Sequence, residues 1–178
     1  MRCFLAVDLD EALKPAVAEL QQRLNEAGDV KLVEPENLHF TLKFLGEASG
    51  DHVSYVRNVI GCLLKDWRHF EITIKNIGVF PSTGYIRVVW LGAPELHRLQ
   101  HSIEQALCPP FEKERGITPH LTLARVRSVT GKEDLVRFVK GNKDVEIGGM
   151  TVDAVKLKQS VLAPTGPVYT DYHVWNLQ

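Results

Sequence analysis

The sequence predicts an α+β fold built from two similar lobes around a central cleft. Several short segments alternate apolar and polar residues, which is typical of half-buried strands, and apolar residues recur at helical spacing between those segments. The tetrapeptides His39–Leu42 and His120–Leu123 lie 81 positions apart (120 minus 39), at matching places in the two series of elements. We therefore expect duplicated β-α-β-α-β units with antiparallel sheets.

The first lobe is predicted to cover approximately residues 1–81. It begins with an apolar strand over 2–9, followed by an amphipathic helix that ends at Gly28. The alternating stretch 38–45 is typical of a half-buried strand. A second amphipathic helix and a strand over 70–80 complete the unit.

The second lobe is predicted to cover approximately residues 84–151, in the same order of elements. A strand over 85–91 is followed by a helix that opens at Pro94. The strand 120–126, a further helix and a short strand complete this unit. The remainder, 152–177, is predicted to form a closing pair of strands.

The totals favour a single domain, 1–178, since 178 residues that are 44% hydrophobic can bury one substantial core. The formal net charge is −1, from 21 Lys and Arg against 22 Asp and Glu. Such a balance argues against a field that attracts nucleic acid along the whole surface. Any contact with nucleic acid is therefore expected to be local, and we expect a monomer.

The cysteines and the N-terminal residues indicate a cytoplasmic protein. Cys3, Cys62 and Cys108 are odd in number and widely spaced, which argues against a disulfide framework and a thiolate metal cluster. Asp8 and Asp10 interrupt the apolar start before it reaches the length of a signal peptide. No other run is long enough to span a bilayer, so no membrane association is expected.

Two pairs of side chains point to phosphodiester chemistry. In a strand, residues two apart share a face, so His39 lies beside Thr41 and His120 lies beside Thr122. Two imidazoles on opposite sides of phosphorus can serve as the acid and the base of an in-line displacement. Threonine hydroxyls can donate to the non-bridging oxygens. This scheme requires no metal and no cofactor.

Two cations compete for the phosphate. Lys43 lies four residues after His39, so period-two geometry places it on the cleft face, but a solvated side chain is the favoured interpretation for this residue. Arg125 lies five residues after His120 and would reach the cleft only if a bulge or a strand end turned it inward. The guanidinium is nevertheless the better match to phosphate because its donors form a fixed fork.

The paired tetrapeptides resemble the H-x-T-x motifs of the 2H phosphoesterase superfamily. Their closest branch is the RNA 2′,3′-cyclic phosphodiesterases, also called LigT-like or 2′-5′ RNA ligase proteins. The resemblance extends over nearly the whole chain and includes four further segments: Phe4–Val7, Leu42–Gly46, Gly78–Pro81 and Pro119–Arg125.

The resemblance implies hydrolysis of a 2′,3′-cyclic phosphate, at an RNA 3′ end or on a small nucleotide, to leave a 2′-phosphate. It implies His39 as proton donor to the leaving oxygen, His120 as the base that activates water, and Arg125 as the cation that binds phosphate. Quasi-symmetry of the two lobes allows the donor and acceptor roles to be exchanged.

Several alternatives remain open at this point. The same site could join RNA ends by a 2′-5′ bond without ATP, hydrolyse another cyclic nucleotide ester, or bind RNA ends without turnover. His97 and His101 have the helical spacing of a metal pair, but they lack an H-E-x-x-H sequence and are expected to be solvated. The absence of a P-loop sequence disfavours an ATP-dependent ligase.

Overall fold

The computed structural model describes residues 1–113, 118–128, 130–164 and 166–178. Within these residues the chain forms nine strands and four α-helices, with short 3₁₀ turns at 11–13, 35–37 and 94–96. The strands are β1 (Arg2–Asp8), β2 (Val30–Leu32), β3 (His39–Glu47), β4 (Phe70–Ser82), β5 (Tyr85–Gly92), β6 (His120–Val126), β7 (Glu146–Val152), β8 (Ala154–Ala163) and β9 (Gly166–Asn176). The helices are α1 (Lys14–Ala27), α2 (Gly50–Leu64), α3 (His97–Leu107) and α4 (Lys132–Gly141).

All strand pairs are antiparallel, so the predicted α+β class is confirmed. The strands of both halves join in one open sheet with the order β7-β4-β5-β6-β3-β1-β8-β9, while β2 pairs with β6 off this path. The halves therefore share a continuous sheet, because β3 and β6 pair directly. These two strands carry the tetrapeptides and lie at the centre.

The spatial halves differ from the order of the chain. β4, which the sequence analysis assigned to the first lobe, lies between β5 and β7 because its hydrogen-bonding partners are there. The final strands β8 and β9 pair with each other, and β8 extends the other half by pairing with β1. Each half consequently places its tetrapeptide strand next to the centre.

The cleft opens where β3 and β6 separate. The two strands pair at Phe40 and Leu121. From Ala124 to Val126 the same edge of β6 pairs with β2 instead. Because the strands are antiparallel and β3 begins only at His39, β3 does not extend along this part of β6, and β2 takes its place there.

A single hydrophobic core fixes which side chains of β3 and β6 face the cleft. The apolar sides of the helices and the inward side chains of the strands pack together in this core. Phe40, Leu42, Leu121 and Leu123 are fully buried there. Burying each of them is worth about 1.5–3 kcal/mol. His39, Thr41, His120 and Thr122, which flank these apolar residues, are thereby held facing away from the core.

The three cysteines are free thiols, with Cys3 buried and the other two, Cys62 and Cys108, exposed. None of the helices in the described ranges is both long enough and apolar enough to cross a lipid bilayer.

Candidate active site

The side chains that the sequence predicted as a site line one cavity between β3 and β6, with a volume of about 300 Å³. They are His39, Thr41, His120, Thr122 and Arg125. The histidines and threonines are half-buried, whereas Arg125 is exposed. The structure thus brings all five predicted residues to the same place.

The His39 ring is held by hydrogen bonds to residues around the start of β3. Its Nδ1 lies 2.7 Å from the carbonyl oxygen of Asn37, and its Nε2 lies 3.1 Å from the Thr41 hydroxyl. Because a carbonyl oxygen can only accept, Nδ1 must donate the hydrogen. In the neutral ring Nε2 is therefore unprotonated and is the atom available for proton transfer.

The His120 ring is held in the same way in the other half. Its Nδ1 lies 2.7 Å from the carbonyl oxygen of Thr118, which is again two residues before the histidine. The same tautomer follows, with Nε2 as the atom that exchanges a proton. In both halves, therefore, the imidazole is oriented by a hydrogen bond from Nδ1 to the carbonyl oxygen two residues earlier.

Burial sets the protonation of both rings. It lowers the pKa of His39 to about 4, against the raising effect of the hydrogen bond to Asn37. The charge of Lys158 and that of His120 also lower the pKa of His39. Burial likewise lowers the pKa of His120 from 6.5, and the charge of Arg125 contributes in the same direction. Both rings are therefore largely neutral at pH 7 unless an anion lies beside them.

A β-bulge brings Arg125 into the cavity. In the β5–β6 ladder Trp90 lies opposite Thr122 and Val89 lies opposite Ala124, so Leu123 is an extra residue of β6. The bulge reverses the alternation of the strand, and Arg125 turns to the cleft face with Thr122. The bulge that the sequence analysis required for this arginine is present.

A second bulge turns Lys43 away from the cavity. In the β1–β3 ladder Ala6 lies opposite Thr41 and Leu5 lies opposite Lys43, so β3 also contains an extra residue at this point. Lys43 is 1% exposed, and its Nζ lies 2.9 Å from Glu104 Oε2. The favoured interpretation of Lys43 as solvated was wrong, since the side chain is buried. The cleft-facing position was also wrong, because ideal alternation does not hold across the bulge.

Aromatic rings surround each histidine. The His39 ring lies 4.9 Å from the ring of Phe4 and 5.3 Å from that of Tyr169, in an edge-on arrangement with the latter. The His120 ring lies 5.0 Å from the ring of Phe80 and 6.0 Å from that of Trp90. These contacts restrict rotation of both imidazoles.

Sequence reasoning missed other residues that line the cavity, among them Lys31, Phe44 and Tyr169. Lys31 lies opposite Arg125 in the β2–β6 ladder, so a second cation stands next to the first. Tyr169 belongs to β9, far along the chain. No motif marks these positions, although the bulge in β3 would have indicated Phe44.

Comparison with known proteins identifies the family of this chain. The sequence profile described as LigT like Phosphoesterase matches residues 7–90 and 92–169. The chain belongs to this family. The family suggested by the paired tetrapeptides is therefore confirmed.

Individual relatives agree over the full length of this LigT-like phosphoesterase. The chain is 44% identical to the RNA 2′,3′-cyclic phosphodiesterase of Methanothermobacter thermautotrophicus, covering 99% of each sequence. It superposes on the crystal structure of a Thermus thermophilus protein with a TM-score of 0.81, at 27% identity and with 99% and 98% of the two chains covered. It also resembles Escherichia coli LigT complexed with 3′-AMP, with a TM-score of 0.74, at 25% identity and with 99% and 96% covered.

A four-charge network stands beside His39 in this LigT-like phosphoesterase. Lys156 and Lys158 each bridge Asp8 and Asp171, at N–O distances of 2.6–2.9 Å. Asp8 lies directly opposite His39 in the β1–β3 ladder. The charge of Asp8 raises the pKa of His39, whereas that of Lys158 lowers it.

In the described parts of the chain, no group of three or more His, Cys, Asp or Glu residues is arranged to hold a metal ion. His97 and His101 are both exposed on α3, as the sequence analysis expected.

Proposed function

We propose that this LigT-like phosphoesterase hydrolyses 2′,3′-cyclic phosphodiesters, at RNA 3′ ends or on small nucleotides, to 2′-phosphomonoesters. The observation that carries the proposal is the pair of imidazoles in one cavity, each anchored through Nδ1 to a backbone carbonyl. The full-length relative from Methanothermobacter, named RNA 2′,3′-cyclic phosphodiesterase, supports this choice of substrate.

The reaction is an in-line displacement at phosphorus. His120 Nε2 takes a proton from water as the water oxygen forms a bond to phosphorus. The bond from phosphorus to the 3′ oxygen breaks, and His39 Nε2 gives that oxygen its proton. The product keeps the phosphate on the 2′ oxygen. Exchange of one proton with solvent returns both rings to their starting states.

Binding of the anionic substrate favours the protonated form of the His39 ring. With a pKa of about 4, His39 carries little positive charge at neutral pH. A phosphodiester anion placed beside the ring favours the charged form and raises that pKa. His39 is then protonated when substrate is bound, and its low intrinsic basicity makes it a strong acid toward the departing oxygen.

Hydroxyls and cations stabilise the charge that develops on the phosphate oxygens. Thr41 and Thr122 share the cavity face with the histidines and donate to the non-bridging oxygens. Arg125 adds a charged fork, with Lys31 next to it across the ladder. Removing one such donor from a transition state costs about 10²–10³ in rate.

The first test is product analysis. Phosphorus NMR of a reaction with a 2′,3′-cyclic mononucleotide should give a 2′-phosphate, and turnover should persist in EDTA because the proposed acid and base are side chains. His39→Ala and His120→Ala should each abolish turnover. A 3′-phosphate product, or complete loss of activity on chelation, would contradict the proposal.

The roles of the two histidines can be separated chemically. A cyclic substrate with sulfur in place of the 3′ oxygen needs little proton donation, since a thiolate leaves readily. The variant that lacks the acid should regain activity on this substrate, whereas the variant that lacks the base should not. We expect rescue for His39→Ala, and rescue of His120→Ala instead would exchange the two roles.

We also propose that the protein acts as a monomer in the cytoplasm. One chain supplies both histidines and both threonines of the cavity, and the free thiols suit a reducing compartment. Sedimentation analysis at catalytic concentrations tests the monomer.

A further inference from the structure

A shallow groove leads from the catalytic cavity across β5 and β6. Phe80 and Arg125 line both the cavity and the first part of the groove. Arg87 and Val126 line both the first part and the second, which continues to Lys132 at the start of α4. We call this continuous depression the side groove, and its shared linings connect it to the site of chemistry.

The side groove is positively charged. Its cations are Arg87, Arg125, Arg127 and Lys132, and no Asp or Glu is among the described residues that line it. In the described part of the chain these four cations form no ion pair. The whole chain carries a net charge of only −1, so this is a local concentration of positive charge next to the cleft.

An aromatic ring accompanies the cations. Tyr85 is 58% exposed, and the guanidinium carbon of Arg87 lies 6.0 Å from the centroid of its ring. Arg87 is the extra residue of a bulge in β5, since Val88 lies opposite Phe80 and Ile86 lies opposite the next residue of β4. An exposed ring interleaved with arginines is the combination that holds single-stranded nucleic acid by stacking and charge.

We infer that the side groove binds the RNA strand on the 5′ side of the cyclic phosphate, so that the preferred substrate is an oligonucleotide. This inference rests on the proposed function. In a 2′,3′-cyclic phosphate both the 2′ and 3′ oxygens of the terminal ribose are used, so the strand can leave the cavity only through its 5′ oxygen. The phosphates that follow then meet Arg87, Arg127 and Lys132 in turn.

A second depression borders the cavity on the opposite side but suits a phosphate chain less well. It is lined by Arg2, Phe44 and Leu162, among others. Arg2 and Arg125 are the only cations among the described residues that line it, and Arg125 also belongs to the cavity. Leu162 is 84% exposed and apolar. This depression provides a matched control surface.

The test compares two substrates with the same terminal base, a 2′,3′-cyclic mononucleotide and a trinucleotide that ends in the same cyclic phosphate. The proteins are the wild type, the triple variant Arg87→Gln/Arg127→Gln/Lys132→Gln, and the control Arg2→Gln. We expect the wild type to have a higher kcat/KM for the trinucleotide, and the triple variant to lose that preference through KM. Because a trinucleotide has two internucleotide phosphates, raising salt from 50 to 200 mM should weaken their contribution to its binding by about sevenfold.

Binding without turnover separates this inference from the proposed function. A 5′-labelled trinucleotide with a 3′-phosphate should bind the wild type and Arg2→Gln equally in fluorescence anisotropy, and bind the triple variant more weakly with a smaller salt dependence. Equal kcat/KM for the two substrates in the wild type, or loss of trinucleotide binding in Arg2→Gln alone, overturns the inference. A wild type that binds the labelled strand through these cations but hydrolyses neither substrate contradicts the proposed function and leaves the side groove intact.

Discussion

Arg125 of β6 and Phe44 of β3 occupy equivalent positions in the two halves of the molecule. Each follows its histidine by five residues (125 minus 120 and 44 minus 39) and lies just beyond a bulge, and both side chains line the catalytic cavity. One half therefore offers a cation where the other offers an aromatic ring. In the proposed mechanism, this asymmetry gives an otherwise matched pair of strands a single side that binds phosphate.

The first prediction concerns the cation. Arg125→Gln should lower kcat/KM for a 2′,3′-cyclic mononucleotide by about 10²-fold, because the charge that develops on the phosphate loses its nearest fork of donors. Arg125→Lys keeps the charge without the fork and should recover only part of the loss. Steady-state kinetics on the three proteins measures this. Full activity in Arg125→Gln would show that Arg125 does not contribute to the reaction.

The second prediction concerns Lys43, the buried cation. Its side chain is fully buried, and its ammonium binds Glu104 and the carbonyl oxygen of Glu112, each at 2.9 Å. Lys43→Met removes a buried ion pair and a charged hydrogen bond to a carbonyl oxygen, so the free energy of unfolding should fall by about 1.5–3 kcal/mol. Urea unfolding measures this loss.

The contrast between the two cations is the control. Lys43 does not reach the cavity, so kcat of the folded Lys43→Met fraction should stay near that of the wild type, whereas Arg125→Gln should lose activity and keep its stability. A variant of Lys43 that is stable and inactive would contradict the assignment.

The sequence predicted the order of elements and four of the residues that line the cavity because both follow from local patterns, whereas Arg125 came from the family resemblance. Period two places His39 beside Thr41, and a second copy of the same tetrapeptide marks its counterpart. The bulges could not be recognised from the sequence, since an extra residue such as Leu42 or Leu123 is apolar and buried like its neighbours. Alternation therefore gave the wrong face for Lys43.

Contacts between distant segments could not be predicted from the sequence, for a different reason. Tyr169 reaches His39 only because β8 pairs with β1 and carries β9 with it. β4 joins the second half of the sheet through its ladders to β5 and β7. Such pairings depend on tertiary packing, and periodicity along the chain does not encode which strands become neighbours.

The third prediction is a pH dependence of stability. The pKa of His39 is about 4 in the folded protein against 6.5 for an ordinary histidine. Between these values the unfolded chain binds a proton that the folded protein does not, so the free energy of unfolding decreases as pH falls from 6.5 to 4. Urea unfolding at pH 7.0, 5.5 and 4.5 measures the trend.

The matched variant is His39→Gln, which removes the titrating ring. Its stability should decline less steeply over that pH range than that of the wild type. Parallel curves for the two proteins would mean that the folded protein protonates His39 as readily as the unfolded chain does.

The fourth prediction uses the charge network beside His39. Asp8→Asn removes a carboxylate that raises the pKa of His39, so that pKa should decrease further. Lys158→Met removes a cation that lowers it, so the pKa should increase. Titration of the His39 ring proton by NMR should move in opposite directions in the two variants, and a shift in the same direction would indicate that the network acts through structure instead of charge.

The fifth prediction concerns the support of His120. A Cβ at position 78 would lie 2.2 Å from Cζ2 of Trp90, so Gly78→Ala forces the indole to move. The ring of Trp90 lies 6.0 Å from that of His120 and 5.0 Å from that of Phe80. We expect overpacking to cost about 1–3 kcal/mol of stability and to lower kcat by displacing the imidazole.

Gly84→Ala is the control for this substitution, because its new Cβ would lie 3.7 Å from the hydroxyl of Ser82 and meets no clash. Its free energy of unfolding should stay within about 0.5 kcal/mol of the wild-type value. Its kcat should equal that of the wild type. Thermal unfolding and kinetics on the two alanine variants decide the matter. If Gly78→Ala loses stability but retains full kcat and the wild-type NMR titration of His120, Trp90 supports the sheet without positioning the histidine.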